Sequence, residues 1–233
     1  MTSPPGFGLL SRAVSYALVS AGYATPELLP LATPCAGWDL AMLLNHVRDS
    51  LDVLHDAVGD GCVQPGPAPG AGHAGDGPAA SGGYARAGPA LGEGTTSQPH
   101  AEPHAGSEPD LVRAVRRRAS KLLAACATAG AGERVVAIAD RHLTANVVAV
   151  TGAIEISVHG WDIGAACRRR RPIPPLLAVE MLRFAPVLIP AGARDGLFAE
   201  PVSVPAPAGC PSDQLVAFLG RQPGWPTEPG RLS

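Results

Sequence analysis

The stretch LTANVVAVTGAIEISVHGWDIGAACRRRR, residues 143–171, constrains the fold more than any other part of the chain. It is too long for one strand and apolar on nearly all sides, so it predicts a central helix that other elements must cover. Thr144 stands where an N-cap would, and the Pro172 to Pro175 segment stops the helix. Arg168 to Arg171 follow at the end where positive charge suits the helix dipole, a simpler reading than a nucleic-acid patch. Inside this apolar run Glu155 and His159 are four residues apart, one above the other on a single helical face. Two polar groups in a core need partners.

A central helix needs companions, and three are legible. In DLAMLLNHVRDSLDVLHDAV, Leu40, Leu43, Leu44, Val47, Leu51, Leu54 and Val58 recur at steps of three, four and seven, with Asp39 as the N-cap. His46 falls on the flank of that stripe, beside Ser50 and Val53, and can reach the interior from its edge, whereas His55 is expected outside. In SEPDLVRAVRRRASKLLAACATAG, Ser107 can cap, Pro109 suits the first turn, and Leu111, Val112, Val115, Ala119, Leu122, Leu123 and Cys126 form the apolar face. Its outer face carries arginines, of which Arg116 is the candidate for binding a substrate carboxylate at the mouth of a bundle. LLSRAVSYALVSAG supplies the fourth helix.

The expectation is an all-α protein, a four-helix bundle made by residues 1–63 and 109–171. Residues 64–108 are mainly Gly, Ala, Pro and small polar residues, too poor in large apolar side chains to offset the cost of ordering them, and are expected to form a flexible insertion. Its histidines, His73, His100 and His104, are expected to be solvated. Residues 172–233 are expected to form a small, partly extended appendage packed on the bundle, with a short helix near 176–184, the Pro-punctuated EPVSVPAPAG, and a last helix SDQLVAFLG capped by Ser212.

A formal charge of −2 gives no general field for nucleic acid. No uncharged apolar run approaches the roughly eighteen residues of a membrane span. The N-terminus has no basic region ahead of its apolar stretch, and Arg12 interrupts that stretch, so no signal peptide is read and a cytoplasmic monomer or homodimer is expected. Cys35, Cys62, Cys126, Cys167 and Cys210 are odd in number and lack CxxC spacing, which favours reduced thiols, mostly small core residues.

If His46, Glu155 and His159 meet, two imidazoles and one carboxylate make the ligand set of many catalytic zinc sites, with the fourth tetrahedral position open. A divalent ion with one carboxylate keeps a net positive charge, enough to acidify a bound water or thiol. The alternative is a hydrogen-bonded Glu and His pair inside the core, and spacing alone leaves both open. Asp162 lies near the ligand face, where it can orient an imidazole or pair with an arginine. Trp38 and Trp161 are expected to pack, and Gly152 leaves space that a ligand or a neighbouring helix can fill.

The segments ATPCAGWDLAMLLNHV and EISVHGWDIGAA resemble the two signature regions of the metal-binding proteins related to mycothiol-dependent maleylpyruvate isomerase, within the DinB-like superfamily. The ending FAEPVSVPAPAGCPSDQLVAFLGRQPGW is similar to that of its shorter members. Ala36 stands where the family usually has proline. The resemblance implies a DinB-like four-helix bundle with a divalent metal, most simply Zn2+, on His46, Glu155 and His159. It also implies mycothiol as cosubstrate, added as a metal-activated nucleophile to a small electrophile by an S-transferase or cis-trans isomerase. A metal-dependent hydrolase, or a non-catalytic binding protein serving resistance or stress, could use the same bundle. The isomerase itself carries a larger C-terminal domain, so the resemblance does not extend to maleylpyruvate as substrate.

Overall fold

The computed structural model describes residues 5–59, 62–63, 108–128, 135–138, 141–190, 194, 198–204 and 209–226. Its elements run α1 (Pro5–Ala21), a 3-10 turn (Pro26–Leu28), α2 (Leu40–Gly59), β1 (Cys62–Val63), α3 (Asp110–Thr128), β2 (Val135–Ile138), β3 (Arg141–Thr144), α4 (Ala145–Ala166), α5 (Pro175–Leu188) and α6 (Pro211–Phe218). The expected insertion, except Glu108, lies outside the described residues, as does the proposed cap Ser107.

The protein is mostly helical, and the four long helices share one core. α1 packs on α4 and α3, while α2 packs on α3 and α4. α4 is the central helix: Ile154, Ile156, Val158 and Ile163 are all fully buried, although they point to different sides. Thr144 caps it by accepting the Val147 N–H at 3.3 Å. α2 begins as its sequence predicts, the Asp39 carboxylate accepting the Met42 N–H at 2.7 Å. The expected stripe from Leu40 to Val58 is buried, and each leucine so removed from water contributes about 1.5–3 kcal/mol. No described helix is long and apolar enough to cross a membrane.

Two glycines set how closely the helices approach α4. A Cβ on Gly160 would lie 2.9 Å from the Ala17 backbone of α1, and one on Gly152 would lie 2.4 Å from Leu54 of α2. The space left by Gly152 is thus filled by a neighbouring helix.

A small sheet, ordered β1, β2, β3, was not expected. β1 runs parallel to β2, with Cys62 opposite Ala137, and β2 runs antiparallel to β3, with Val136 opposite Leu143. β1 directly follows α2, whereas β2 and β3 occupy the sequence between the third and fourth helices, where the helical period fades into VVAI and RHLT. Strands of two to four residues leave too little pattern for sequence reading.

The chain after α4 returns to pack on the earlier helices, with α5 against α4 and α1. α6 occupies the expected place, but Ser212 does not cap it. Cys210 holds the cap position, and the buried Ser212 hydroxyl instead accepts the Ile173 N–H at 2.9 Å, tying the start of α6 to the exit from α4. A local rule that favours serine at helix starts yielded to a tertiary bond. Arg194 is buried nearby, its guanidinium 4.5 Å from the centre of the Phe218 ring and donating to the Phe218 carbonyl at 3.0 Å.

α4 and α6 end in the same way. Arg168 donates its N–H to Ala165 O and Arg169 to Gly164 O, while Gly220 donates to Ala217 O and Arg221 to Val216 O. Both are Schellman ends, which require a left-handed residue. Gly220 takes that role at φ 80°, and Arg168 takes it at φ 55°.

Candidate metal centre

The turn ahead of α2 builds one wall of the site. Trp38 donates its N–H to Cys35 O at 3.0 Å, Gly37 supplies the positive φ of 77°, and the Thr33 hydroxyl accepts the Cys35 N–H at 3.2 Å. This turn sets the Trp38 ring edge-on to His46, with centroids 5.0 Å apart, and brings the Cys35 thiol toward α4.

α2 and α4 supply the remaining groups. His46, Glu155 and His159 come together, with one candidate ligand atom from each lying within 4.8 Å of the other two. The two imidazoles stand at 86° with centroids 4.9 Å apart, so neither ring stacks on the other. His46 Nε2 lies 3.3 Å from Glu155 Oε1. That is long for a charge-assisted hydrogen bond and about the separation of two ligands on a tetrahedral ion with zinc-like bond lengths. The Ser50 hydroxyl, one turn beyond His46, donates to Glu155 Oε1 at 2.6 Å and fixes the carboxylate. Burial alone would raise the Glu155 carboxyl, but contact with His46, the nearby His159 imidazole and the Ser50 bond outweigh it and hold the group below its ordinary value. The group is an anion at neutral pH.

The cluster lies at the edge of the core. Side-chain exposure is 24% for His46 and 32% for Glu155, enough for a small molecule to reach them, and only 10% for His159. His159 is locked from behind, since its Nδ1 meets Asp162 Oδ2 at 3.1 Å. We assign the proton to Nδ1, donated to the carboxylate, which leaves the lone pair on Nε2 as the ring's electron-pair donor. This carboxylate, imidazole and open-donor arrangement is the form that metal-ligating histidines take. The donor set is compatible with a divalent metal.

Asp162 does both things the sequence left open, for it also pairs with an arginine. Arg221, in the turn after α6, donates Nη2 to Asp162 Oδ2 at 3.1 Å and to Cys35 Sγ at 3.2 Å, while Cys35 donates its thiol proton to Asp162 at 3.2 Å. Burial raises the Asp162 carboxyl, yet the Arg221 charge and the His159 contact overcome it and hold the group below its usual range. For Cys35, burial and the Asp162 charge push the thiol up to about 12, against the opposing Arg221. Cys35 is therefore a neutral thiol. Cys35, His159 and Asp162 form a second close group of possible ligands, but a guanidinium already sits against two of its three members. A cation there would face that charge at contact distance.

Arg116 is not one of the residues gathered here. It is exposed on α3 and pairs with Glu108. The residues that sequence reading missed are Cys35 and Arg221 as partners of Asp162. Arg221 stands 59 positions from Asp162, and no local pattern marks a contact of that range.

The family model described as the mycothiol maleylpyruvate isomerase N-terminal domain matches residues 16–164, more than half of the chain. The chain belongs to this family, and through it to the DinB-like superfamily. The match spans Cys35, His46, Ser50, Glu155, His159 and Asp162, whereas Arg221 lies beyond it. Comparisons with curated proteins and with solved structures yield no match. In this member of the mycothiol maleylpyruvate isomerase N-terminal domain family, the chain past the matched region thus reaches back to the carboxylate that holds His159.

Proposed function

We propose that this protein is a metal-dependent enzyme that uses a low-molecular-weight thiol, by family mycothiol, as nucleophile toward a small electrophile, acting as an S-transferase or a cis-trans isomerase. The observation that carries the reading is the meeting of His46, Glu155 and His159 at a partly open edge of the core, with His159 oriented from behind by Asp162. In this reading the four long helices are the DinB-like bundle and the three residues hold the ion. Zinc fits two imidazoles and one carboxylate, although other divalent ions accept the same donors.

The ion, when bound, supplies a Lewis acid whose remaining positive charge favours a thiolate over a thiol at neutral pH. The protein's own groups do the positioning. Ser50 holds the Glu155 carboxylate toward the two imidazoles, Asp162 keeps the proton of His159 on Nδ1, and Trp38 packs against the His46 ring. Cys35 is excluded as the nucleophile, because its proton is shared with Asp162 and its thiol is pushed up to about 12.

The test is consumption of activated alkenes and epoxides by zinc-loaded protein, with and without mycothiol. Thiol-dependent turnover that is lost in His159→Ala is the expected result. Turnover without thiol would replace this reading by a hydrolase, and tight binding of thiol with no turnover would replace it by a non-catalytic binding protein.

A further inference from the structure

A cavity of about 1060 Å³ opens where the chain leaves α4, walled by Arg168, Arg169, Arg170, Arg171, Trp161 and Trp225 and by the turns that follow α6. It shares no residue with the metal cluster. Asp213 is its only carboxylate among the described residues. None of the four arginines forms an ion pair within the described residues.

Three features set this cluster apart from ordinary solvated charge. The guanidinium groups of Arg169 and Arg171 lie over the rings of Tyr23 and Tyr16, at 5.5 and 5.1 Å, so they are held in place by aromatic faces that leave their charge uncancelled. Nε of Arg171 is buried without a hydrogen-bond partner among the described residues, so the protein groups around it leave that donor unsatisfied. Arg168 occupies the left-handed position of its helix end, where the equivalent residue of α6 is Gly220, so an arginine is kept where glycine would be free of strain. The helix dipole accounts for less than the sequence implied, because the last turn of α4 contains no basic residue and the arginines lie beyond it.

We propose that this cavity binds a small polyanion, a molecule with two or more phosphate or carboxylate groups and an apolar body that rests on the tryptophans. Guanidinium groups bind both kinds of oxyanion bidentately, and four of them around one cavity match more than one anionic group. The inference does not rest on the metal reading. Nucleic acid is disfavoured because these four arginines gather at one cavity while the chain as a whole carries a net charge of −2.

The experiment is calorimetric titration of the full chain at low salt with two probes, inorganic pyrophosphate and tricarballylate, for wild type, Arg168→Gly and Arg170→Gln. Arg168→Gly removes a guanidinium while relieving the backbone, so its melting temperature should not fall. The expected result is binding of at least one probe by wild type, weakened about tenfold or more in each variant. A preference for pyrophosphate or for tricarballylate then identifies the phosphate or carboxylate class. Binding of neither probe below millimolar concentration, or equal binding by wild type and both variants, would overturn the proposal.

Discussion

His159 and Asp162 stand one turn apart on α4, their Nδ1 and Oδ2 atoms 3.1 Å apart, and Arg221 closes on the same carboxylate from the other end of the chain. The donor geometry of the cluster therefore depends on a buried anion, and that anion depends on a buried cation supplied by the turn after α6. Removing either member leaves the other unpaired away from water, which typically costs about 3–5 kcal/mol.

Asp162→Asn and Arg221→Leu should each lower stability by about 3 kcal/mol and weaken metal binding by roughly ten to a hundredfold, because the imidazole loses its fixed orientation. Urea unfolding and competition with a chromophoric chelator read the two effects separately. A variant that is destabilised but binds metal as wild type does would show that the ion pair serves the fold alone.

Acid should erase part of this difference. Asp162 titrates below its ordinary value in the folded protein, since Arg221 and His159 outweigh the effect of burial. Its contribution is present above the unfolded value of about 3.9 and is lost as pH falls through the folded value. The stability gap between wild type and Asp162→Asn should thus be full at neutral pH and shrink from about pH 4 downward. Unfolding curves at several pH values check this, and a gap that widens in acid would contradict the assigned ion pair.

Cys35 should resist alkylation. With its thiol pushed up to about 12 by burial and the Asp162 charge, little thiolate exists at pH 8, whereas Cys210 is exposed. Peptide mapping after brief iodoacetamide treatment should find Cys210 modified and Cys35 intact. Rapid labelling of Cys35 in the native protein would refute the neutral thiol.

Gly160→Ala should destabilise the protein by about 1–3 kcal/mol, because its Cβ would meet the Ala17 backbone and force α1 away from α4. Gly152→Ala meets the end of the Leu54 side chain, which can rotate, and should cost less. Thermal unfolding of the two variants gives the order directly.

The helices were legible because their stripes are long and regular: α2 shows its buried face residue by residue, and α4 shows by its lack of polar sides that it is central. Glu155 and His159 stood out as polar residues on a face that had to be buried. Their meeting with His46 needed the packing of α2 on α4, which Gly152 permits and no local pattern displays. Ser212 misled because its hydroxyl serves Ile173 instead of its own helix, and Arg221 was silent because its partners lie in the turn before α2 and in α4.

Metal content bears most directly on the central claim. Elemental analysis of untagged protein after incubation with zinc and desalting should give close to one equivalent for wild type and little for Glu155→Ala and His159→Ala, with helical circular dichroism retained in both. No metal in wild type, or full metal retained in both variants, would contradict the assignment of His46, Glu155 and His159 as its ligands.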